Sequence, residues 1–288
     1  MDDQDFRNLF KNIVADKNLG QNFLFNPELL KQIADSAELK AGDHVLEIGP
    51  GLGTLTREML ARNVDVTAVE FDENLARDLE KNISKIDAFY HESTSHRLTV
   101  VHDNILHFDF AQMKWPWKIV ANIPYNLTKP IITKILESNN APELAALLVQ
   151  DEVAQKLVVK PGDLSILAIR TQIFADVKTG IFVGRHEFTP APKVDSRVVI
   201  LRPRNENMLA EFSRKNALNA DDLAKRFWRL VNAGFANKRK KIRTSLAPAF
   251  GKNKDETAEF LYANDINPNL RAQDLSILDW LTVAVTII

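Results

Sequence analysis

His44-Val-Leu-Glu-Ile-Gly-Pro-Gly-Leu-Gly-Thr54 reads as a short apolar strand that runs into a glycine-rich turn and then into a helix. Glycines at 49, 51 and 53 permit positive φ and let a ligand lie against the backbone. A dinucleotide site needs G-x-G-x-x-G, but the sixth position counted from Gly49 is Thr54 and from Gly51 it is Thr56, so that fingerprint fails. No Gly-Lys-Ser/Thr follows, so the phosphate-loop pattern fails as well. What remains is a turn with no cradle for a pyrophosphate, and by itself it is weak evidence for a ligand, since a tight turn without one is the alternative.

Outward from this turn, short apolar runs alternate with helical spacing. His44–Ile48, Asp65–Val69, Leu98–His102, Lys118–Ala121 and Leu144–Gln150 read as strands, with helices over Thr54–Arg62 and Asn74–Ile83. Such alternation predicts parallel strands joined by crossover helices, an open α/β sheet. Ahead of the first strand, Asn26 can cap a helix whose apolar face is Leu29, Leu30, Ile33 and Ala37, with Pro27 in its first turn. Ile169–Val177, Thr179–Val183 and Ser196–Leu201 lack intervening helices and predict an antiparallel edge. Beyond the linker-like Arg202–Asn207, Leu223, Phe227, Leu230, Val231 and Phe235 recur at helical spacing, with Asp221 placed to cap, and Asp274–Val285 predicts a last helix. The division expected is an α/β domain over 1–204 and a small helical domain over 205–288. The polar run Asp87–Arg97 reads as an exposed loop.

Composition narrows the chemistry. The chain has 288 residues, 45% of them hydrophobic, and a net charge of −1. With no cysteine it has no disulfide, thiolate metal site or cysteine nucleophile, and its six histidines form no ligand-like cluster. The acidic start Met1–Asp5 lacks the pattern of a signal peptide, and the apolar tail 277–288 is too short to span a membrane. The expectation is a cytoplasmic protein without metal or membrane partner. Charge is unevenly placed: 205–288 carries a net +3 against −4 for 1–204, and 225–243 holds eight basic residues and no acid. Such a stretch is a candidate phosphate-binding surface.

Acids at strand ends point to the ligand. Glu70 closes the second strand, where a carboxylate can accept from both hydroxyls of a ribose, and Asp103 at the end of the third can accept from an adenine amino group. Glycine turn, Glu70 and Asp103 without a pyrophosphate cradle suit S-adenosylmethionine. The fourth strand ends in Asn122-Ile-Pro-Tyr-Asn126. An exocyclic aromatic amine is a poor nucleophile because its lone pair is delocalised into the ring. The Asn122 side-chain oxygen and the Pro124 carbonyl can accept its two hydrogens, and Tyr125 can stack on the base.

At this point the chain resembles the ribosomal RNA adenine N6,N6-dimethyltransferases. The likeness is carried by Leu19-Gly-Gln-Asn-Phe-Leu24, Glu47-Ile-Gly-Pro-Gly-Leu-Gly53, Asn122-Ile-Pro-Tyr125 and Glu187-Phe-Thr-Pro-Ala-Pro-Lys-Val-Asp-Ser196, in that order. The resemblance implies a Rossmann-like, seven-stranded class I methyltransferase fold, S-adenosylmethionine as donor and adenine in RNA as acceptor. By motif match, donor contacts fall on Asn22, Leu24, Gly49, Glu70, Asp103 and Asn122, with Gly51 in the same turn, while Tyr125 and Phe188 sandwich or flank the target adenine. Phe227–Leu246 and Leu270–Leu275 are similar to the C-terminal domain of the housekeeping members, which modify two adjacent adenines near the 3′ end of small-subunit RNA. Lys238, Arg239, Lys240, Lys241 and Arg243 are then placed to meet phosphates of that RNA in an assembling subunit. A monomer is expected. A large-subunit resistance methyltransferase and a non-catalytic assembly factor on the same fold are the alternatives.

Overall fold

The computed structural model describes residues 7–10, 15–16, 19–91, 94 and 97–287. They form two compact units, 1–154 with 177–203, and 155–176 with 204–288.

The first unit is built on a seven-stranded sheet. Its strands are β2 (His44–Ile48), β3 (Asp65–Glu70), β4 (Leu98–His102), β5 (Trp117–Asn122), β6 (Leu144–Gln150), β7 (Ala175–Val183) and β9 (Ser196–Pro203). The spatial order is β4-β3-β2-β5-β6-β9-β7. From β4 to β6 the pairings are parallel, and β9 runs antiparallel to β6. Two short strands, β1 (Phe23–Leu24) and β8 (Phe188–Thr189), pair separately. Strand order reverses between β2 and β5, which opens a crevice beyond their carboxyl ends where ligands bind in such sheets. All five predicted parallel strands are present to within one residue.

Local chemistry starts the helices at that rim. Helix α1 (Pro27–Asp35) is capped by Asn26, whose side chain accepts from the N–H groups of Glu28 and Leu29. Helix α2 (Thr54–Leu60) leaves the turn through Gly53, where glycine is needed twice over: φ is 84°, and a Cβ would meet Leu79 at 2.9 Å. Helix α3 (Glu73–Tyr90) is capped by Asp72. Leu30, Ile33, Val45, Met59, Leu60, Val66 and Leu79 close the core on this face.

Four expectations are corrected. Ile169–Val177 is mostly helix: α6 (Ile166–Phe174) is capped by Ser165, and only from Ala175 does the chain extend. Its apolar run is continuous because Ile169 and Ile173 are packed in a core, and periodicity cannot separate that from a strand. The segment after Asp87 is not simply an exposed loop. Helix α3 continues to Tyr90, and buried Asp87 bonds Arg57 at 3.3 Å and the N–H and hydroxyl of Thr94 at 3.0 and 2.8 Å. Residues 92, 93, 95 and 96 lie outside the described residues. The boundary at 204 is also incomplete, since residues 155–176 belong to the second unit.

The reason is hydrophobic. Ile169 and Ile173 join Leu223, Phe227, Leu230, Val231, Trp280 and Leu281 in one core. Between α5 (Asp151–Leu157) and that core the chain leaves the sheet, then returns as β7. Further helices are α4 (Thr128–Leu136), α7 (Met208–Lys215), α8 (Ala220–Phe235), α9 (Ile242–Phe250), α10 (Lys254–Tyr262) and α11 (Ile277–Thr286). The cap of α8 is Asn219, which accepts from Asp222 N–H, not Asp221.

Candidate functional site

The crevice is a cavity of about 280 Å³ lined by the glycine turn, the ends of β3 to β5 and residues 19–24. Of the residues read from sequence, Asn22, Leu24, Gly49, Gly51, Glu70, Asp103, Asn122, Pro124 and Tyr125 all line it.

The glycine turn brings the backbone to the cavity wall. Gly49 and Gly51 lie at φ 65° and 58°, and a Cβ on Gly49 would meet nothing within 4 Å. The space that a side chain would occupy is open. Glu70, 7% exposed, accepts from the N–H groups of Gly51 and Asp72 at 3.0 and 2.9 Å, so the strand end and the turn lock each other. Burial raises its pKa, and backbone bonds from Asp72, Gly51 and Phe71 oppose the rise. A carboxylate has about four acceptor positions, so capacity for a ligand hydroxyl remains. Asp103 is tied to the same strand end by its N–H to the Glu70 carbonyl at 3.0 Å. A vicinal diol and an amino-bearing ring, both donors, therefore fit these two carboxylate acceptors, whereas an anionic phosphate does not.

Leu24 is held by two bonds. The Thr54 hydroxyl donates to its carbonyl at 3.0 Å, and Phe188 pairs with it between β1 and β8. Phe188 is only 3% exposed and packs in the core with Leu24 and Val183. It is not among the residues that line this cavity. The side chain supports the short strand that carries Leu24.

The turn at the end of β5 carries the geometry of greatest chemical use. The Asn122 side-chain N–H donates to the backbone carbonyl of Asn22 at 3.1 Å. A flipped amide would set two oxygens against each other, so this bond directs Oδ1 as a free acceptor. Pro124 carbonyl accepts from Leu127 N–H at 2.9 Å, closing the turn and leaving its second lone pair. Tyr125 is half-buried, and its hydroxyl lies 2.7 Å from Oγ of fully buried Ser196. Burial raises the Tyr125 pKa, with the Ser196 bond opposing it. Gln21 Nε2 donates to Asp72 at 3.1 Å, fastening the segment before β1 to the start of α3.

Underneath, Glu47 is 1% exposed and its Oε2 has no hydrogen-bond partner among the described residues. Burial pushes its pKa up to about 8, outweighing the nearby Thr56 hydroxyl, and the Glu70 charge adds to the rise.

The ribosomal RNA adenine dimethylase family model matches residues 14–288. The chain belongs to that family. A ribosomal RNA small subunit methyltransferase A of Clostridioides difficile (strain 630) is 35% identical, with 92% of this chain and 88% of that protein aligned. The protein of the same name from Crocosphaera subtropica is 34% identical over 93% and 96%. Among solved structures, a dimethyladenosine transferase from Plasmodium falciparum superposes with TM-score 0.69 at 24% identity, covering 91% of this chain and 95% of that one. The 23S rRNA methyltransferase ErmE superposes with TM-score 0.69 at 28% identity, covering 92% and 99%. The fold is that of class I methyltransferases.

The basic residues stand in the second unit. Lys238, Arg239, Lys240 and Lys241 are exposed between α8 and α9, and Arg243 is half-buried in the first turn of α9. Lys241 donates to Asn269 at 2.9 Å, and the other lysines of the run make no ion pair among the described residues. Ser196 and Glu47 stand within the motifs, yet the sequence assigns neither a role. No spacing rule connects Ser196 to a tyrosine 71 residues earlier.

Proposed function

We propose that this chain transfers methyl groups from S-adenosylmethionine to the N6 amines of two adjacent adenines near the 3′ end of small-subunit ribosomal RNA. The observation that carries the reading is the Asn122–Asn22 bond, which fixes an acceptor oxygen at the cavity beside an aromatic ring. The donor supplies a methyl group already activated on a sulfonium. Glu70 and Asp103 hold its ribose and adenine, with Gly49 and Gly51 giving close backbone approach.

Asn122 Oδ1 and the free lone pair of Pro124 carbonyl accept the two amine hydrogens and aim the nitrogen lone pair at the methyl carbon. Tyr125 stacks on the base. As the new N–C bond forms and the S–C bond breaks, one amine proton leaves to solvent. Positioning of this kind suffices because the leaving group is good. A monomethylated amine has one hydrogen left, so the second transfer uses one acceptor of the pair. The target must leave its stack, at a cost of a few kcal/mol that is least in a loop. Lys238–Lys241 and Arg243 meet the phosphates. Relatives named as small-subunit methyltransferases support this RNA over the large-subunit alternative.

Undermethylated small subunits incubated with labelled donor test the reading. Label should appear in N6,N6-dimethyladenosine, and its absence overturns the proposal. Label confined to large-subunit RNA would select the other substrate. Asn122→Ala should abolish transfer while leaving salt-sensitive RNA binding nearly unchanged.

A further inference from the structure

Three strands along the rim from the Asn122 turn, the first unit carries an exposed aromatic that no part of the reaction uses. Phe182, near the end of edge strand β7, is 49% exposed. The Arg197 guanidinium lies 5.4 Å from its ring centroid. That arginine is immobilised: Nε donates to Asp151 at 2.5 Å and Nη1 to Gly180 carbonyl at 3.4 Å. Ring and guanidinium thus form a platform whose outer face is open. Arg197 directly follows Ser196, the residue that holds Tyr125, so platform and target turn share one strand start.

The surroundings specify an occupant. The loop from β7 to β9 presents Arg185 and Lys193, both exposed and neither in an ion pair among the described residues. The acids nearby are engaged: Asp195 accepts from Arg185 N–H at 2.9 Å, Asp151 is paired with Arg197, and Glu187 with His186 and Asn26. An aromatic face with unpaired cations beside it matches a base with its phosphates, since every base has a π-face and stacking tolerates sequence. From β5 to β7 is three strand spacings, about 14 Å, which a few nucleotides of unstacked strand can cover.

We infer that Phe182, supported by Arg197, stacks an unpaired base of the same RNA strand that delivers the target adenine, with Lys193 and Arg185 on its phosphates. This rests on the reading of the chain as an RNA methyltransferase.

Steady-state methylation of undermethylated small subunits by the full chain tests it. Phe182→Ala should raise KM for subunits at least about fivefold, the low end of what losing a base-stacking aromatic produces. KM for the methyl donor should not change, and Phe182→Trp should restore subunit KM. Lys193→Glu should raise subunit KM most at low salt. If wild-type enzyme labels subunits and both Phe182→Ala and Lys193→Glu keep its KM, the platform is overturned while the activity stands. If Phe182→Leu matches wild type, the ring face is not read and the inference fails. If wild type gives no label, the activity itself has failed. A loss of donor binding in Phe182→Ala would assign the residue to folding and also overturn the inference.

Discussion

The Tyr125 hydroxyl and the Ser196 hydroxyl lie 2.7 Å apart, joining the turn after β5 to the first residue of β9. A tyrosine that stacks on an incoming base needs its ring plane held before the base arrives. Ser196, fully buried, supplies that hold from across the sheet. Ser196→Ala removes one hydrogen bond worth about 0.5–1.5 kcal/mol, so kcat should fall roughly 2- to 13-fold with donor KM unchanged. The phenol pKa of Tyr125 should rise further, because the bond that opposed its elevation is gone. Single-turnover kinetics with an ultraviolet titration of the tyrosines reads both effects.

Glu47 makes stability depend on pH. The folded chain keeps its proton to about pH 8, whereas an unfolded glutamate releases it near 4.5. Between those values the folded state binds the extra proton, so stability falls as pH rises through that window and levels off above it. The loss is on the order of 5 kcal/mol at most. Glu47→Gln stays neutral and should flatten the curve. Urea unfolding at pH 6 and pH 9 compares the two proteins, and equal slopes would refute the assignment.

In the second unit, Gly234 is required by packing. A Cβ there would fall 2.4 Å from Trp280 Cη2, and Trp280 is itself fully buried, with its ring stacked on Phe235. Gly234→Ala should destabilise by about 1–3 kcal/mol, the usual effect of overpacking, despite the helix propensity gained. Thermal unfolding measures it.

The basic run makes a salt prediction. Replacing Lys238 and Lys240 together by Gln should weaken binding to small subunits and flatten the dependence of log affinity on log salt. The expected change is about 0.7–0.9 in slope for each phosphate no longer neutralised. Filter binding at several salt concentrations reads the slope, and an unchanged slope would show that these lysines meet no phosphate.

Much of the site was legible because its chemistry is local. Asn26, Gly49, Glu70 and the Asn122–Tyr125 turn act through short-range backbone geometry, and their positions at strand ends follow from apolar runs of five or six residues. What sequence reasoning mistook was long-range. Ile169–Val177 gave an apolar run compatible with either helix or strand, and only its burial against Phe227 and Trp280 decides for helix. Asp87 reads as solvent-exposed until Arg57, thirty residues earlier, is brought against it by the fold. Nor does sequence show that the Phe188 ring packs in the core beside Leu24.

The sequence alone determined the α/β alternation, the family and the identity of the groups at the strand ends, because these depend on periodicity and on residue types at short spacing. Tertiary structure alone decided which end of the Asn122 amide is tied to Asn22, which residue steadies Tyr125, why Glu47 stays protonated and which helix belongs to which core. Each of those depends on partners distant in the chain, and a side chain's orientation and ionisation are set by the atoms packed against it.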